Sequence, residues 1–545
     1  MQYVVSSPRH RPGGTPVTSS PTRPGAPPQE MHMPTERRGK TYTVEDAIEA
    51  MGLGWFQAKI FVVGKMITAA DAMEMMMLAV LSPLVRCEWA LSDYQVAFIT
   101  TAVFVGMGVA SPLLGIVGDK YGRKVVLVIV TLCIGYFGFL TTFSPSFGWM
   151  LFLRGLVGVG MGGSPQGFSL NAEYVPSKYR AKLLIFGTVF WTLGSIFEIL
   201  LAMLVVPSLG WRYLLAFSSL PVLATCVGLI WIPESARFLA AAGYLDDATT
   251  ILEGAAKMNK SVLPDGRLVK SPEITLGRPR DLFSREYLRS TLQVWLLWFG
   301  VAFTYYGMVL ASAEVLRVRN KDKTSHCNCV YLTTEDYTTM ILSSLGELLS
   351  LPINFFLLDR IGRRWTGGLC YLGTSLFFIL IQLDVGLNTL TTFMFFVRAF
   401  SSACFNFVYI YSSELYPTSI RTLGMGTASA WARVGAMLTP FVAQVLLSNS
   451  IQAATWVYGA LCMLCGISCF LLPIETKGRA LPQMVSYNSD TDTVDLGESL
   501  PGSSYVSEAE AEEPAHVATV SGKRGAEGKR GEEEEMFTDL GDGGR

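Results

Sequence analysis

Two long apolar runs are joined by the charged turn Gly118-Asp119-Lys120-Tyr121-Gly122-Arg123-Lys124, and about 240 residues later two more are joined by Leu358-Asp359-Arg360-Ile361-Gly362-Arg363-Arg364. Three further charged landmarks recur in the same order and at nearly the same offset. They are Arg154, Glu173 and Glu234 in the first copy and Arg398, Glu414 and Glu475 in the second. A fixed order of landmarks that occurs twice indicates a duplicated unit, and duplicated helical units around a central site are typical of secondary transporters.

The composition places the chain in a membrane. Half of its 545 residues are hydrophobic, only 16% are charged, and the mean hydropathy is +0.37. A helix needs about 20 apolar residues to cross a bilayer. Twelve such spans are predicted, at 58–84, 94–117, 125–143, 148–172, 182–206, 212–232, 291–316, 338–358, 366–384, 389–412, 423–447 and 452–472.

The distribution of charge predicts the topology. Lysine and arginine cluster before the first span, in the loops after the second, fourth and eighth spans, and after the twelfth, so the positive-inside rule places both termini in the cytoplasm. The basic residues Arg317 to Lys323, after the seventh span, break this pattern. The predicted domains are a disordered tail over 1–45, a six-helix bundle over 46–235, a cytoplasmic loop over 236–288, a second bundle over 289–476 and an acidic disordered tail over 477–545. Within the loop, Leu245 to Met258 has a helical pattern.

Three of the ten cysteines fall in loops on the outer side, namely Cys87, Cys327 and Cys329. A disulfide from Cys87 to either of the other two would join the halves where oxidation is permitted. The alternative, a metal site at His326, Cys327 and Cys329, lacks a fourth ligand at suitable spacing. We therefore expect no metal and no cofactor.

The duplicated turns resemble the signature loop of the major facilitator superfamily, in which Gly115 and Gly122 allow close helix packing and Asp119 can pair with Arg123. The second copy has Phe355 in place of Gly115, so a gate at the first turn should be the tighter one. The ends of the two halves resemble the sugar-porter and organic-ion branch. The gating residues of the two turns are predicted to be Gly115, Asp119, Gly122 and Arg123 with Asp359, Gly362 and Arg363. The other motif charges are interpreted as networks that lock a conformation without contacting substrate; they are Glu173, Arg180, Glu234, Arg237, Glu414, Arg421 and Glu475.

A narrower resemblance covers residues 41–484. The runs Thr43 to Glu49 and Asp71 to Met76 resemble the synaptic vesicle 2-related proteins, and Lys257 to Val262, Tyr305 to Gly307 and Glu475 to Leu481 resemble the paralogue group called synaptic vesicle 2-related protein-like. The resemblance implies twelve helices in two pseudo-symmetric six-helix bundles, with a binding site between them and transport by alternating access. It implies a multi-pass protein of a vesicle or plasma membrane and a monomer that does not bind nucleic acid.

Nine ionisable side chains lie inside the predicted spans: Lys65, Asp71, Glu74, Arg154, Glu198, Glu314, Glu347, Arg398 and Arg433. Each costs roughly 2.5 to 3.5 kcal/mol at a bilayer centre, so they must line a cavity or pair with one another. Asp71 and Glu74 share one face of the first span. Two acids so close in a low dielectric do not readily both ionise, which suits a proton-coupling site. The alternative is a permanent salt bridge to Lys65 or Arg154, although Lys65 lies off that face.

Arg433 stands ten residues into the eleventh span, in the context Ala432-Arg433-Val434-Gly435. The organic anion carriers that the chain resembles have an arginine at this place, and a guanidinium binds carboxylate or sulfonate with two parallel hydrogen bonds. The alternative is an internal ion pair with Glu347 or Glu198. Tyr305 and Asn406 are predicted to line the same site with other aromatic side chains.

Neither a nucleotide-binding loop nor a catalytic triad is visible, so the chain is not expected to be an enzyme and its energy must come from gradients or exchange. The first hypothesis is a secondary active transporter of small organic ions, anions above all, coupled to protons through Asp71 and Glu74. The alternative is a vesicle receptor or scaffold that keeps the transporter fold without cycling.

Overall fold

The computed structural model describes residues 40–270, 278–321 and 332–477. The first half contains α2 (Trp55–Glu88), α3 (Asp93–Tyr121), α4 (Arg123–Thr141), α5 (Phe147–Met161), α6 (Pro165–Tyr174), α7 (Ser177–Phe186), α8 (Thr188–Leu209) and α9 (Trp211–Gly228), preceded by α1 (Val44–Met51). Between the halves lie α10 (Ala236–Ala241) and α11 (Leu245–Asn259). The second half contains α12 (Leu288–Lys321), α13 (Thr334–Ile361), α14 (Arg363–Leu380), α15 (Leu387–Leu415), α16 (Thr418–Pro440), α17 (Leu447–Asn449) and α18 (Ile451–Phe470).

Ten helices in the described ranges are long and apolar enough to cross a membrane. The other two predicted spans, 148–172 and 366–384, have physical reasons to fall short. The first is split, because Pro165 has no backbone N–H and begins a new helix, α6, after the turn at residues 162–164. The second is α14, which has 18 residues and opens with Arg363 and Arg364. With α5 and α6 as one broken span, and likewise α7 and α8, the chain forms two bundles of six.

The two halves use the same close contacts between helices. An ideal Cβ atom on Gly158 of α5 would lie 2.1 Å from the carbonyl oxygen of Val103 on α3. In the second half, one on Gly346 of α13 would lie 2.3 Å from the carbonyl oxygen of Phe395 on α15. Only glycine fits at either position, because small residues let helix backbones touch. The duplication seen in the sequence is therefore also present in the packing.

The segment before the first span folds together with the loop between the two halves. Strand β1 (Thr41–Tyr42) pairs in parallel with β2 (Arg267–Leu268), and α1 packs on α10 and α11 through residues spaced as one helix face. That face consists of Val44, Ala47, Ile48 and Met51. The predicted boundary of the disordered tail at residue 45 falls inside this unit, because Thr43 and Asp46 form a capping box that starts α1 at Val44. The helix predicted from Leu245 to Met258 is confirmed by α11.

Candidate functional site

The two signature turns are built alike. In the first, Arg123 forms ion pairs with Asp119 at 3.2 Å and with Glu173 at 3.3 Å. In the second, the side chain of Arg363 pairs with Asp359 at 3.4 Å and Glu414 at 2.9 Å. All of these contacts lie within one half of the molecule. We call the end of the helices that carries these turns the motif end, and the opposite end the Cys87 end.

A glutamate from the end of each half holds the backbone of its turn. Glu234 accepts hydrogen bonds from the backbone N–H groups of Arg123 at 2.9 Å and Ser235 at 2.8 Å. Glu475 accepts from the backbone N–H groups of Arg363 at 2.9 Å and Arg364 at 3.0 Å. Burial raises the pKa of Glu475, but these backbone donors outweigh it and hold the pKa below its usual value.

The remaining motif arginines also form contacts near the turns, and two of these contacts are the same in both halves. Arg180 donates to the carbonyl oxygen of Val175 at 3.2 Å, and Arg421 donates to that of Tyr416 at 3.3 Å. Arg237 pairs with Glu45 of α1 at 2.9 Å. At Gly115 the structure differs from the expected tight packing, since an ideal Cβ atom there would meet nothing within 4 Å. No helix closes over that position in this conformation.

Two of the three arginines inside the predicted spans form buried ion pairs. Arg154 and Glu74 pair at 2.8 Å, and Arg398 and Glu347 pair at 2.6 Å. The arginines occupy matching places in the two halves, whereas the acids come from α2 in the first half and α13 in the second. Each guanidinium has two nitrogens, Nε and Nη2, without a hydrogen bond partner in the structure.

Glu347 also connects the halves. Its carboxylate accepts hydrogen bonds from Tyr305 at 2.7 Å and from Thr192 of α8, in the other half, at 3.1 Å. Glu198 is fully buried, accepts a hydrogen bond from Ser218 at 2.8 Å and lies near enough to Arg154 to attract it electrostatically. Thus neither of the two acids considered as partners for Arg433 forms an ion pair with it.

One face of α6 lines the polar side of α2. Ser164, Phe168 and Asn171 follow one another at helical spacing. Ser164, immediately before α6, donates to Asp71 at 2.9 Å, while the ring centroid of Phe168 lies 5.4 Å from the Lys65 ammonium. Asp71 and Glu74 therefore have separate partners, a serine and an arginine.

Arg433 lies at a cavity that is lined by aromatic side chains of the second half. The cavity measures about 40 Å³ and is walled by Trp298, Tyr306, Phe405, Tyr409, Ser429 and Arg433, which leaves room for a few water molecules or one small anionic group. The guanidinium donates to Ser111 at 3.1 Å and contacts the sulfur of Met107 at 2.9 Å, both on α3. In the described ranges it forms no ion pair, although Asp71 is near enough to attract it electrostatically. Asn406 accepts from Thr188 at 3.4 Å close by.

The halves are joined most strongly at the Cys87 end. Arg86 of α2 pairs with Glu314 of α12 at 2.9 Å, and Gln444 donates to Ser82 at 2.8 Å and to Thr100 at 3.2 Å. On the motif side of the cavity, Phe168 and Tyr409 face each other with centroids 6.4 Å apart and are 41% and 39% exposed. The cavity is therefore closed toward the Cys87 end and open toward the motif end.

The sequence did not point to Ser164, Phe168, Gln444 or the Arg86–Glu314 pair. Their partners are far away in the chain, so only the fold brings them together. Cys87 is disulfide-bonded, and seven other cysteines in the described ranges are free. Cys327 and Cys329 lie outside the described residues, so the pairing of Cys87 with one of them stays a prediction.

Two duplicated six-helix bundles around a charged, aromatic central cavity define a membrane transporter of the major facilitator fold rather than an enzyme. The family described as Sugar (and other) transporter matches residues 41–486, and the chain belongs to that family.

Relatives and solved structures agree. The chain is 43% identical to SVOPL of Homo sapiens over 468 residues, 83% of this chain and 95% of that protein. It is 43% identical to the synaptic vesicle 2-related protein of Xenopus laevis over 466 residues, 84% of each chain. The partially occluded inward open conformation of the xylose transporter XylE from E. coli superposes with a TM-score of 0.61 at 17% identity, over 78% of this chain and 100% of that one. That last similarity shows the fold alone.

Proposed function

We propose that this protein is a secondary active transporter of small organic anions, which binds its substrate at Arg433, cycles by alternating access and carries protons with it through Asp71. The relatives named for synaptic vesicles favour a vesicle membrane as its location. The observation that carries the proposal is the contrast among three arginines. Arg154 and Arg398 are paired with glutamates, whereas Arg433 lies at the cavity and has, among the described residues, a serine and a methionine as its only hydrogen bond partners.

The chemistry of the cavity supports an anion. A guanidinium is always charged and donates two parallel hydrogen bonds to a carboxylate or sulfonate. The surrounding rings of Tyr306, Phe405 and Tyr409 can pack on the flat part of an organic substrate. Because the cavity holds only one small group, the rest of the substrate would extend toward the open motif end.

Asp71 supplies the means of coupling. When ionised, it attracts Arg433 and competes with a substrate anion for the same positive charge. When Asp71 takes up a proton, Arg433 is released for the anion. Binding of a proton and binding of an anion thus favour each other, which is the requirement for symport. Glu74 contributes to coupling because it forms an ion pair with Arg154, which keeps that second guanidinium from neutralising Asp71.

The test is proton flux into liposomes that hold the purified protein, while a panel of organic anions and cations is added. We expect an anion to trigger flux. Arg433→Gln should lower its apparent affinity about ten- to a hundredfold, as the loss of a charge-assisted hydrogen bond predicts. The exposed Arg285 provides the matched control, and Arg285→Gln should change nothing.

Asp71→Asn should abolish proton flux while anion exchange continues, and Asp384→Asn, at an exposed loop position, is its control. Proton flux that persists in Asp71→Asn would contradict the coupling. Flux driven only by cations, or by no ligand at all, would contradict the anion site, and the last result would favour the non-cycling scaffold.

A further inference from the structure

A second cation lies beside the cavity. Lys65, in the first third of α2, is only 4% exposed, and its ammonium lies over the rings of Phe168 and Phe61, 5.4 and 5.8 Å from their centroids. In the described part of the chain no carboxylate forms an ion pair with it. A buried ammonium is costly unless a negative group accompanies it, and contact with two rings compensates only part of that cost.

A buried amide without a hydrogen bond partner lies on the same face of α6 as Phe168. Asn171 is 2% exposed, and neither its oxygen nor its nitrogen has a hydrogen bond partner in the structure. Its side-chain nitrogen lies close to α2, since an ideal Cβ atom on Gly64, the residue before Lys65, would be 2.4 Å from it. An ammonium and an amide N–H group are both suitable donors for a carboxylate, sulfonate or phosphate oxygen.

The two cations are connected by a row of rings. Phe168, which covers Lys65, faces Tyr409 at 6.4 Å, and Tyr409 lines the cavity of Arg433. The carboxylates nearby do not neutralise both cations, because Glu74 is paired with Arg154 and Asp71 would be protonated during symport. The site then has two positive charges separated by aromatic side chains.

We propose that Lys65, with Asn171, binds a second anionic group of the same substrate, so that the transported molecule is an organic dianion with its charges at opposite ends of a flat apolar core. This inference rests on the proposed function, since Arg433 must hold the first anionic group. It deepens that function by naming the substrate class.

Benzoate and benzene-1,4-dicarboxylate make a suitable pair of probes, because they share a ring and differ by one carboxylate. Binding to the purified full-length protein is measured by titration calorimetry and uptake by liposomes. We expect the wild type to prefer the diacid. Lys65→Gln should weaken diacid binding about ten- to a hundredfold and leave benzoate binding unchanged.

Two further variants complete the test. Lys65→Arg keeps the charge and should retain the preference for the diacid, which also guards against a folding defect in Lys65→Gln. Lys59→Gln removes a lysine from an exposed position of the same helix and should behave as wild type. Equal loss of both probes in Lys65→Gln, or no preference in the wild type, would overturn the dianion and leave the anion carrier intact. Arg433→Gln separates the two ideas, since it should weaken both probes; a wild type that binds neither would overturn both.

Discussion

At the scale of single residues, the duplication has been kept for the arginines and lost for their partners. Arg154 and Arg398 are both fully buried at matching positions. Glu74 reaches the first from α2, whereas Glu347 reaches the second from α13. Glu347 also contacts Thr192 of the other half, while Glu74 has no counterpart to that contact among the described residues. The second pair is therefore the one that a change of conformation must disturb.

Removal of one member of a buried pair should be far more harmful than removal of an exposed one. Glu74→Gln leaves the guanidinium of Arg154 in the membrane interior without its ion-pair partner, and we expect the free energy of unfolding to fall by about 3 to 5 kcal/mol. Thermal unfolding in detergent measures this loss.

Arg212→Gln is the control, because Arg212 and Glu88 pair at 2.6 Å with about 40% of each side chain exposed. An exposed pair contributes at most about 1 kcal/mol. If the two variants had equal stability, the Arg154–Glu74 pair would have to be hydrated, and its structural role would be wrong.

At the scale of helices and turns, apolar length predicted the spans, and the motifs predicted the turns that join them. The sequence predicted the ends of the helices less well. The basic run after the seventh span disagreed with the positive-inside rule, because α12 continues to Lys321 and Arg317 there pairs with Glu314 at 2.5 Å. Arg317 is thus neutralised by a partner, so counting its charge with the loop misleads.

The candidate site was predictable only in part, for the same reason. Charged residues inside apolar spans identified Asp71 and Arg433, since burial of a charge is costly wherever it occurs. Their partners could not be found, because Arg433 and Ser111 are 322 positions apart in the chain. Helix-to-helix contacts over such separations depend on the fold and leave no local pattern.

The signature turns offer a comparison between the halves. Gly122 and Gly362 have φ values of +107° and +92°, which disfavour any side chain by about 1 to 2 kcal/mol. The two sites differ in space, because an ideal Cβ atom would lie 2.2 Å from Glu234 Oε2 at Gly122 but 3.1 Å from Glu475 Oε2 at Gly362. Gly122→Ala should therefore also displace Glu234 from the backbone that it holds.

We expect Gly122→Ala to be less stable than Gly362→Ala by about 1 to 3 kcal/mol, the cost of leaving buried hydrogen bond donors unpaired. Thermal unfolding of the two variants side by side measures the difference. Gly148→Ala, at a helical position with nothing within 4 Å, is the control and should be harmless. Equal losses at Gly122 and Gly362 would show that backbone strain alone sets the cost.

At the scale of the whole molecule, the proposed alternating access makes this structure one state of a cycle. The Cys87 end is closed by contacts between the halves, whereas the ion pairs of Arg123 and Arg363 at the motif end each lie within one half. Closure of the motif end would bring another helix over Gly115, where space is now open. The predicted tighter gate at the first turn thus remains a prediction about a state that this structure does not show.

Glu314 forms the ion pair with Arg86 that joins the two halves at the Cys87 end. Its carboxylate is 2% exposed and accepts hydrogen bonds from Arg86 at 2.9 Å, Arg317 at 2.5 Å and Ser448 at 2.6 Å. In Glu314→Gln the two arginines lose their shared counter-charge and repel each other. Because the contact between Arg86 and Glu314 is the one of these that joins the two halves, we expect the population of the closed state to fall relative to the opposite state by about ten- to a hundredfold.

Maleimide labelling of single engineered cysteines in the purified protein measures this shift. Thr101→Cys probes the Cys87 side, where Thr101 now donates to the carbonyl oxygen of Met437 at 3.4 Å, and Thr188→Cys probes the motif side. In Glu314→Gln, labelling should rise at the first and fall at the second, relative to protein without the engineered cysteine. Glu88→Gln, which loses an exposed pair within one half, should change neither. Opposite changes at the two ends require a protein that alternates. A rise at both ends would mean loosened packing, and no change at either would mean a molecule that keeps the transporter fold without the cycle.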